Sequence, residues 1–352
     1  MYTLNDKIKF MTPYEPISGD YQTRLDANES FLTLPEDIKA QIQQAVGKID
    51  YNRYPDPYAK KLCKAFADAY GISPELVTAG NGSDELISVI VNSFLQKGER
   101  LLVTEPDFSM YRFYGELSEA QIVKVPKKDD LSIDADALIE TASREGVRVI
   151  CFSNPCNPTS LGLTRGTVRK IITSVSALVV LDEAYMDFWE QSMLGETEKY
   201  DNLLLLKTCS KAAGFAAARI GFAVAGKPIT TAIRAAKSPY NVNSISQEIG
   251  AVLLNNTPYL ENCRKIMIKS RRELEEKINR FQEETALFDT VYESCTNFVF
   301  IRTGKARQIY EKLLERSIAV RQISGYLRIT AGTEQENQAV LNALREISRE
   351  IE

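Results

Sequence analysis

Apolar residues fall along this chain in two rhythms. Short, nearly continuous aliphatic runs occur as LVTAG at 76–80, RLLVTE at 100–105, VRVICF at 147–152, ALVVLD at 177–182, NLLLLK at 202–207 and IGFAVAG at 220–226. Runs of this length predict strands buried on both faces, the mark of a largely parallel sheet. Between them, DELISVIVNSFLQKGE at 84–99 repeats its apolar residues at helical intervals, and DADALIETASREG at 134–146 opens on acids and stops at glycine. This βαβ rhythm holds from about residue 76 to 245 and predicts an α/β fold with a mostly parallel central sheet.

Beyond that point the rhythm changes. Residues 258–284 carry a long, charged helical pattern, followed by a strand-like TNFVFIR at 296–302, a helix ARQIYEKLLERS, a strand pair IAVRQ and GYLRITAG, and an amphipathic helix over 334–351. The tail reads as a smaller α+β domain, onto which residues 1–30, too short to stand alone, are expected to pack. The expected division is 31–245 for the large domain and 1–30 with 246–352 for the small one. With 352 residues and 44% hydrophobic content, the chain can fill both cores without metals or disulfides.

Composition narrows the chemistry. The sequence has no histidine, which removes Ser-His-Asp and Cys-His catalysis and every His-containing metal site. Acid–base work near neutral pH falls to Lys, Tyr, Asp, Glu or a cofactor, and no metal is expected. With 43 basic against 47 acidic residues and a net charge of −4, there is no basic field for nucleic acid or an anionic membrane, so small-molecule partners are expected. The six cysteines, at 63, 151, 156, 209, 263 and 295, form no CxxC pair and read as reduced thiols in or near the core. The N-terminal MYTLNDKIKFMTPYEP lacks the apolar region of a signal peptide, so the expected location is cytoplasmic.

Polar residues cluster at the ends of successive predicted strands, where open α/β sheets place their ligands. After NLLLLK come Thr208, Ser210 and Lys211, then Arg219; two hydroxyls and a guanidinium fork suit one phosphate, and Lys211 sits among small residues as a nucleophile able to form a Schiff base. At the end of ALVVLD, Asp182 is a buried carboxylate that needs a cation, such as a protonated pyridine, or else caps the next helix; Tyr185 either donates to a phenolate oxygen or fills core. SNPCNPTS at 153–160 puts Asn157 in an Asn-Pro turn, where its amide can donate to a ring oxygen, or else is an ordinary turn. In TAGNGSDELI, Ser83 and Asp84 open a helix whose free N–H groups make an anion site, or form a plain N-cap.

Taken together, LDANES at 25–30, RYPDP at 53–57, GNGSDE at 80–85, PDFSMY at 106–111, NPCNPTS, LDEAY, TCSKAAGFAAARIGF and YLRITAGT at 326–333 resemble, in this order and over nearly the whole chain, the fold-type I aminotransferases of class I/II that depend on pyridoxal 5'-phosphate (PLP). Within that superfamily they look most like the histidinol-phosphate aminotransferase branch. The resemblance implies that Lys211 carries the cofactor as a Schiff base, Asp182 pairs with its ring nitrogen, Asn157 and Tyr185 hold its ring oxygen, and Phe108 stacks on its face. Ser83, Asp84, Thr208, Ser210 and Arg219 would surround its phosphate, joined by Tyr54 from the neighbouring subunit of a homodimer with shared active sites.

Arg328 matches the family arginine for a substrate carboxylate, with Asn28 and Tyr14 on the same side; otherwise it is a salt-bridged strand residue. The implied reaction moves an amino group between a small amino acid or amine phosphate and a 2-oxo acid. Alternatives are a decarboxylase of the threonine-phosphate type and an aminotransferase for an aromatic amino acid. Three positions depart from the family pattern: Ala213 replaces an aromatic, Ala217 a glycine, and Ser160 the glycine of NPTG. Arg321 meets either a substrate phosphate or solvent.

Overall fold

The aliphatic runs form strands because nearly every residue in them loses its water. All five residues of Val149–Ser153 and all six of Leu203–Thr208 are buried, an arrangement open only to strands covered on both sides. The computed structural model describes residues 2–9, 11–13 and 15–351. In chain order its strands are β1 (Thr23–Arg24), β2 (Val77–Asn81), β3 (Arg100–Glu105), β4 (Gln121–Pro126), β5 (Val149–Ser153), β6 (Leu178–Asp182), β7 (Leu203–Thr208), β8 (Ile220–Ala225), β9 (Thr290–Tyr292), β10 (Phe298–Arg302), β11 (Ile318–Ala319), β12 (Arg321–Ile323) and β13 (Tyr326–Thr330).

Seven of them make one sheet in the order β2-β8-β7-β6-β5-β3-β4. All its pairings are parallel except those of β8, which runs antiparallel to both β2 and β7. The register sets Ser153 beside Asp182 and Asp182 beside Leu206, so the carboxyl ends of β5, β6 and β7 lie side by side. The edge strand β4 was not among the expected runs. Its sequence QIVKVP interrupts the apolar residues with Gln121 and Lys124 and keeps only Val125 buried, as an edge strand requires.

Two apolar layers cover the sheet. One gathers Leu62, Phe66, Ile171, Leu205, Phe222 and Leu254; the other gathers Leu86, Ile90, Leu101, Tyr111, Val180 and Leu204. The second side is built partly by Gly82–Phe94, which begins one residue after β2 ends. A separate core forms where β12-β13-β10-β9 make an antiparallel sheet, packed by Leu274, Ile278, Phe281, Ile309, Leu341 and Leu344. Leu25 belongs to this core, and β1 pairs in parallel with β11.

The helix Thr257–Glu284 links the cores. Its buried residues Cys263, Met267, Arg271, Leu274, Ile278 and Phe281 follow steps of four and three, one stripe of an α-helix in which Arg271, paired with Glu275, is the charged member. Tyr259 and Leu260 pack on the large core, Met267 joins Tyr185, Phe188, Ala212 and Phe298, and the last three stripe residues enter the smaller core. The six cysteines are free, five of them buried. Among the described residues no helix is long and apolar enough to cross a membrane, and no cluster of acids and thiols could hold a metal ion.

Candidate active site

Asp182 ends β6 and is 4% exposed. Its Oδ1 accepts the Ala184 N–H at 3.0 Å and its Oδ2 accepts the Tyr111 hydroxyl at 2.8 Å. Burial pushes its carboxyl up to about 6; the phenol and amide pull it back only partly, and the carboxylates of Asp107 and Asp84 push it further up. This buried acid is therefore faced by a phenol, a backbone amide and two more acids, and among the described residues no cation forms an ion pair with it.

Sequence reasoning missed Asp107 and Tyr111, although both flank Phe108 in PDFSMY. Asp107 ties the turn after β3 to the end of β5: it accepts Thr104 Oγ1 at 2.6 Å, the Phe108 N–H at 2.8 Å and the Ser153 hydroxyl. Phe108 is half-buried, its ring standing edge to face with that of Tyr111 at 5.5 Å between centroids. The signal was their spacing: residues three apart on a turn and the helix it starts come to the same side.

Past β7 the chain turns sharply. Thr208 Oγ1 accepts the Ser210 N–H at 3.1 Å and its hydroxyl reaches Ser210 Oγ at 3.1 Å. Lys211 follows, its Nζ donating to Ala27 O at 2.9 Å and lying 5.8 Å from the centre of the Tyr185 ring. Arg219 adopts a left-handed backbone, φ 51°, and folds its guanidinium over Gly82. A Cβ at Gly82, itself at φ 84°, would stand 2.6 Å from Arg219 Nη2, and a Cβ at Gly221 would stand 2.2 Å from Ser83 N. Both glycines thus bring a guanidinium and the free N–H groups at the start of Gly82–Phe94 together, forming an anion cradle. Asp84 lies in that first turn; its Oδ2 accepts the Tyr114 hydroxyl at 3.0 Å, while its buried Oδ1 has no hydrogen-bond partner.

The smaller layer closes the other side. Arg328 on β13 is 8% exposed; its Nη1 donates to Asn157 Oδ1 at 2.5 Å, its Nη2 to Asp26 O at 2.5 Å, and its guanidinium lies 5.4 Å from the centre of the Phe298 ring. Asn28, at φ 55°, donates through Nδ2 to the Tyr185 hydroxyl at 2.8 Å and accepts the Thr330 hydroxyl at 3.0 Å. Ser160, at φ 65°, donates its hydroxyl to Glu293 O at 2.9 Å, so the residue standing where the family pattern has glycine ties this loop to the smaller layer.

Lys211, Tyr185, Asn28, Asn157 and Arg328 are thus connected at one edge of the sheet, with Asp182, Ser83, Asp84, Thr208, Ser210 and Arg219 along the same strand ends. Tyr54 stands apart: it is 82% exposed and stacks on Tyr240 at 4.7 Å, beside a groove lined by Gln41, Arg53, Asp56 and Gln247. Tyr14 lies outside the described residues. Arg321 starts β12, half-buried and paired with Arg328 in register.

A second buried cluster adjoins the site. Lys207 Nζ bonds Asp187 Oδ1 at 2.7 Å and lies 3.9 Å from Glu183 Oε2; Tyr70 donates to Asp187 at 3.1 Å. Glu183 also accepts the Ser192 hydroxyl at 2.5 Å and the Met193 N–H at 2.7 Å; burial still holds its carboxyl at about 7.

The family model described as aminotransferase class I and II matches residues 20–344. The histidinol-phosphate aminotransferase of Clostridium kluyveri is 39% identical over 95% of this chain and 95% of its own length. That of Thermococcus gammatolerans is 34% identical over 98% and 97%. Among solved structures, the histidinol-phosphate aminotransferase of Sinorhizobium meliloti in complex with pyridoxal-5'-phosphate superposes with a TM-score of 0.89 at 24% identity, covering 100% of this chain and 99% of that one. With a matching family model over most of its length and relatives of this similarity, the chain belongs to the class I and II aminotransferases.

Proposed function

We propose that this aminotransferase exchanges the amino group of histidinol phosphate with a 2-oxo acid, using PLP joined to Lys211. The observation that carries the cofactor assignment is the pairing of a buried carboxylate lacking a cation, Asp182, with an anion cradle at Gly82–Asp84 and Arg219. A protonated pyridine nitrogen supplies the one and a phosphate fills the other. When bound, the cofactor supplies an electron sink for the charge left at the substrate carbon.

The side chains then have separate tasks. Lys211 takes the proton from the substrate carbon and returns it. Asp182 holds the ring proton, and the cation it gains there draws its carboxyl down from about 6, so that it stays ionised at neutral pH. Asn157, whose Oδ1 is engaged by Arg328, would offer its amide nitrogen to the ring oxygen, and the Tyr185 hydroxyl would be that oxygen's second partner. Phe108 stacks on the ring. Ser83, Asp84 through its backbone N–H, Thr208, Ser210 and Arg219 bind the phosphate.

Arg328, with Asn28 and Tyr14, receives the carboxylate of the oxo acid as a bidentate pair. The exposure of Tyr54 supports a homodimer in which it completes the partner's phosphate site. The two cores support a large and a small domain, expected at 31–245 and at 1–30 with 246–352, but Ala251, Leu253 and Leu254 of the helix Ser244–Asn255 pack in the large core, which carries its boundary past residue 254; cytoplasmic residence belongs to the same reading.

Purified protein given PLP should absorb at about 410–430 nm. Borohydride should fix the cofactor on Lys211, and amino transfer from histidinol phosphate to 2-oxoglutarate should outpace that from aromatic amino acids. A reducible adduct that survives Lys211→Ala overturns the assignment; carbon dioxide release from a phosphorylated amino acid without amino transfer would favour a decarboxylase.

A further inference from the structure

We propose that Tyr111 is a positioning residue that acts through Asp182: its hydroxyl keeps the Asp182 carboxylate ionised and aimed at the cofactor ring nitrogen. The proposal rests on the cofactor assignment above and adds a residue to it. The tyrosine lies in the helix Met110–Leu117, is 1% exposed and packs its ring in the apolar layer with Val103, Cys151 and Val180. A phenol carried so deep leaves water behind, and the partner its hydroxyl has gained is Asp182 Oδ2 at 2.8 Å.

The surroundings explain why a neutral donor is needed. Asp182 is approached by the carboxylates of Asp84, in the first turn of Gly82–Phe94, and of Asp107, in the turn after β3; Cys151 of β5 lies close by. Each of these neighbours disfavours a negative charge on Asp182 or leaves it unaided. The two groups that favour it are the Ala184 N–H on Oδ1 and the Tyr111 hydroxyl on Oδ2. In a chain without histidine the phenol is a donor that carries no charge of its own at neutral pH, and burial beside these acids holds its ionisation well above the usual tyrosine range. It therefore stays a donor wherever the enzyme works.

The same segment places Phe108, the ring-stacking residue, one turn before Tyr111, with Asp107 bolting the turn to β3 through Thr104 and to β5 through Ser153. Stacking surface and proton-holding group are thus set by one short stretch. A shift of the 107–111 segment would disturb both together.

The test is Tyr111→Phe, which removes one oxygen and keeps the buried ring. Without the hydroxyl the Asp182 charge is less favoured, so the ring nitrogen loses its proton more readily and the Lys211-linked nitrogen keeps its own to higher pH. The pH midpoint of the visible absorbance of the PLP-loaded protein should rise by about one unit, and kcat should fall about 10- to 100-fold, the range for removal of a supporting partner. In an Asp182→Asn background at saturating PLP, Tyr111→Phe should leave the midpoint where the single Asp182→Asn variant has it. An unchanged midpoint in Tyr111→Phe, with PLP still borohydride-fixed to Lys211, overturns the proposal, as does an equal shift in both backgrounds. Absence of any Lys211 adduct in the wild type overturns the cofactor assignment and this inference with it.

Discussion

Asp182 and Glu183 are neighbours in sequence, both buried, and in both burial raises the carboxyl, to about 6 and about 7. Their settings are opposite. Glu183 has its cation inside the protein, Lys207, along with a hydroxyl, a backbone amide and the adjoining Asp187–Tyr70 pair. Asp182 meets a phenol, an amide and two like charges. A buried acid with its own counter-ion is finished structure, whereas one that lacks a counter-ion marks where a ligand brings the charge. The difference comes from the pleat: consecutive residues leaving one strand face opposite sides of the sheet.

The sharpest break of this contrast is Asp182→Asn, which should lower kcat/KM about 10³-fold, roughly 4 kcal/mol of transition-state stabilisation, while leaving Tm unchanged or raised. Steady-state kinetics and calorimetry on one preparation check both halves. Next comes Lys207→Met, which strands the buried Glu183 and removes the cation from the partly buried Asp187. Urea unfolding should show a loss of roughly 3 kcal/mol, with kcat of the folded fraction nearly unchanged; a large loss of kcat at wild-type stability would erase the contrast.

A smaller effect is read in pH. The carboxyl of Asp182 in the cofactor-free protein stands above its unfolded value of 3.8, at about 6. The native state therefore holds that proton more tightly than the unfolded chain does, and stability due to this group is present below pH 3.8 and lost as pH rises through about 6. Relative to Asp182→Asn, the cofactor-free wild type should lose on the order of 2–3 kcal/mol across that window. Urea midpoints at several pH values measure it, and PLP should abolish the difference by lowering the Asp182 carboxyl. The smallest effect is expected from Gly82→Ala, whose Cβ would displace the Arg219 guanidinium; PLP affinity should fall roughly tenfold, read by fluorescence titration, with fold and Asp182 titration intact.

Much of this was legible because the signals are local. The runs ending in Asp182 and Thr208 announce buried strands by aliphatic density alone, and the polar residues just past them fall where α/β sheets bind ligands. What escaped depends on tertiary contact. Tyr111 reads as one more core aromatic until the fold sets its hydroxyl on a carboxylate 71 residues away. Lys207 stood unremarked at the end of NLLLLK; it is buried because β7 runs on to Thr208 and the Glu183–Asp187 turn folds over it. The edge strand β4 hid behind its polar interruptions, and the exposed Tyr54 has no role that a single copy of the chain can display.

The stripe on Thr257–Glu284 has a mechanical consequence. At 28 residues the helix is a rod about 40 Å long, gripped near its start by the sheet's core and over its last half by the core beneath Arg328. Met267 rests beside Tyr185 and Phe298, close to the point where the grip changes hands. A tilt of a few degrees at the gripped end therefore becomes an ångström or more of travel for the guanidinium carried at the other, enough to make or break its bond to Asn157. One continuous helix, rather than a loop, therefore ties the placing of Arg328 to that of the strand ends that carry Asn157.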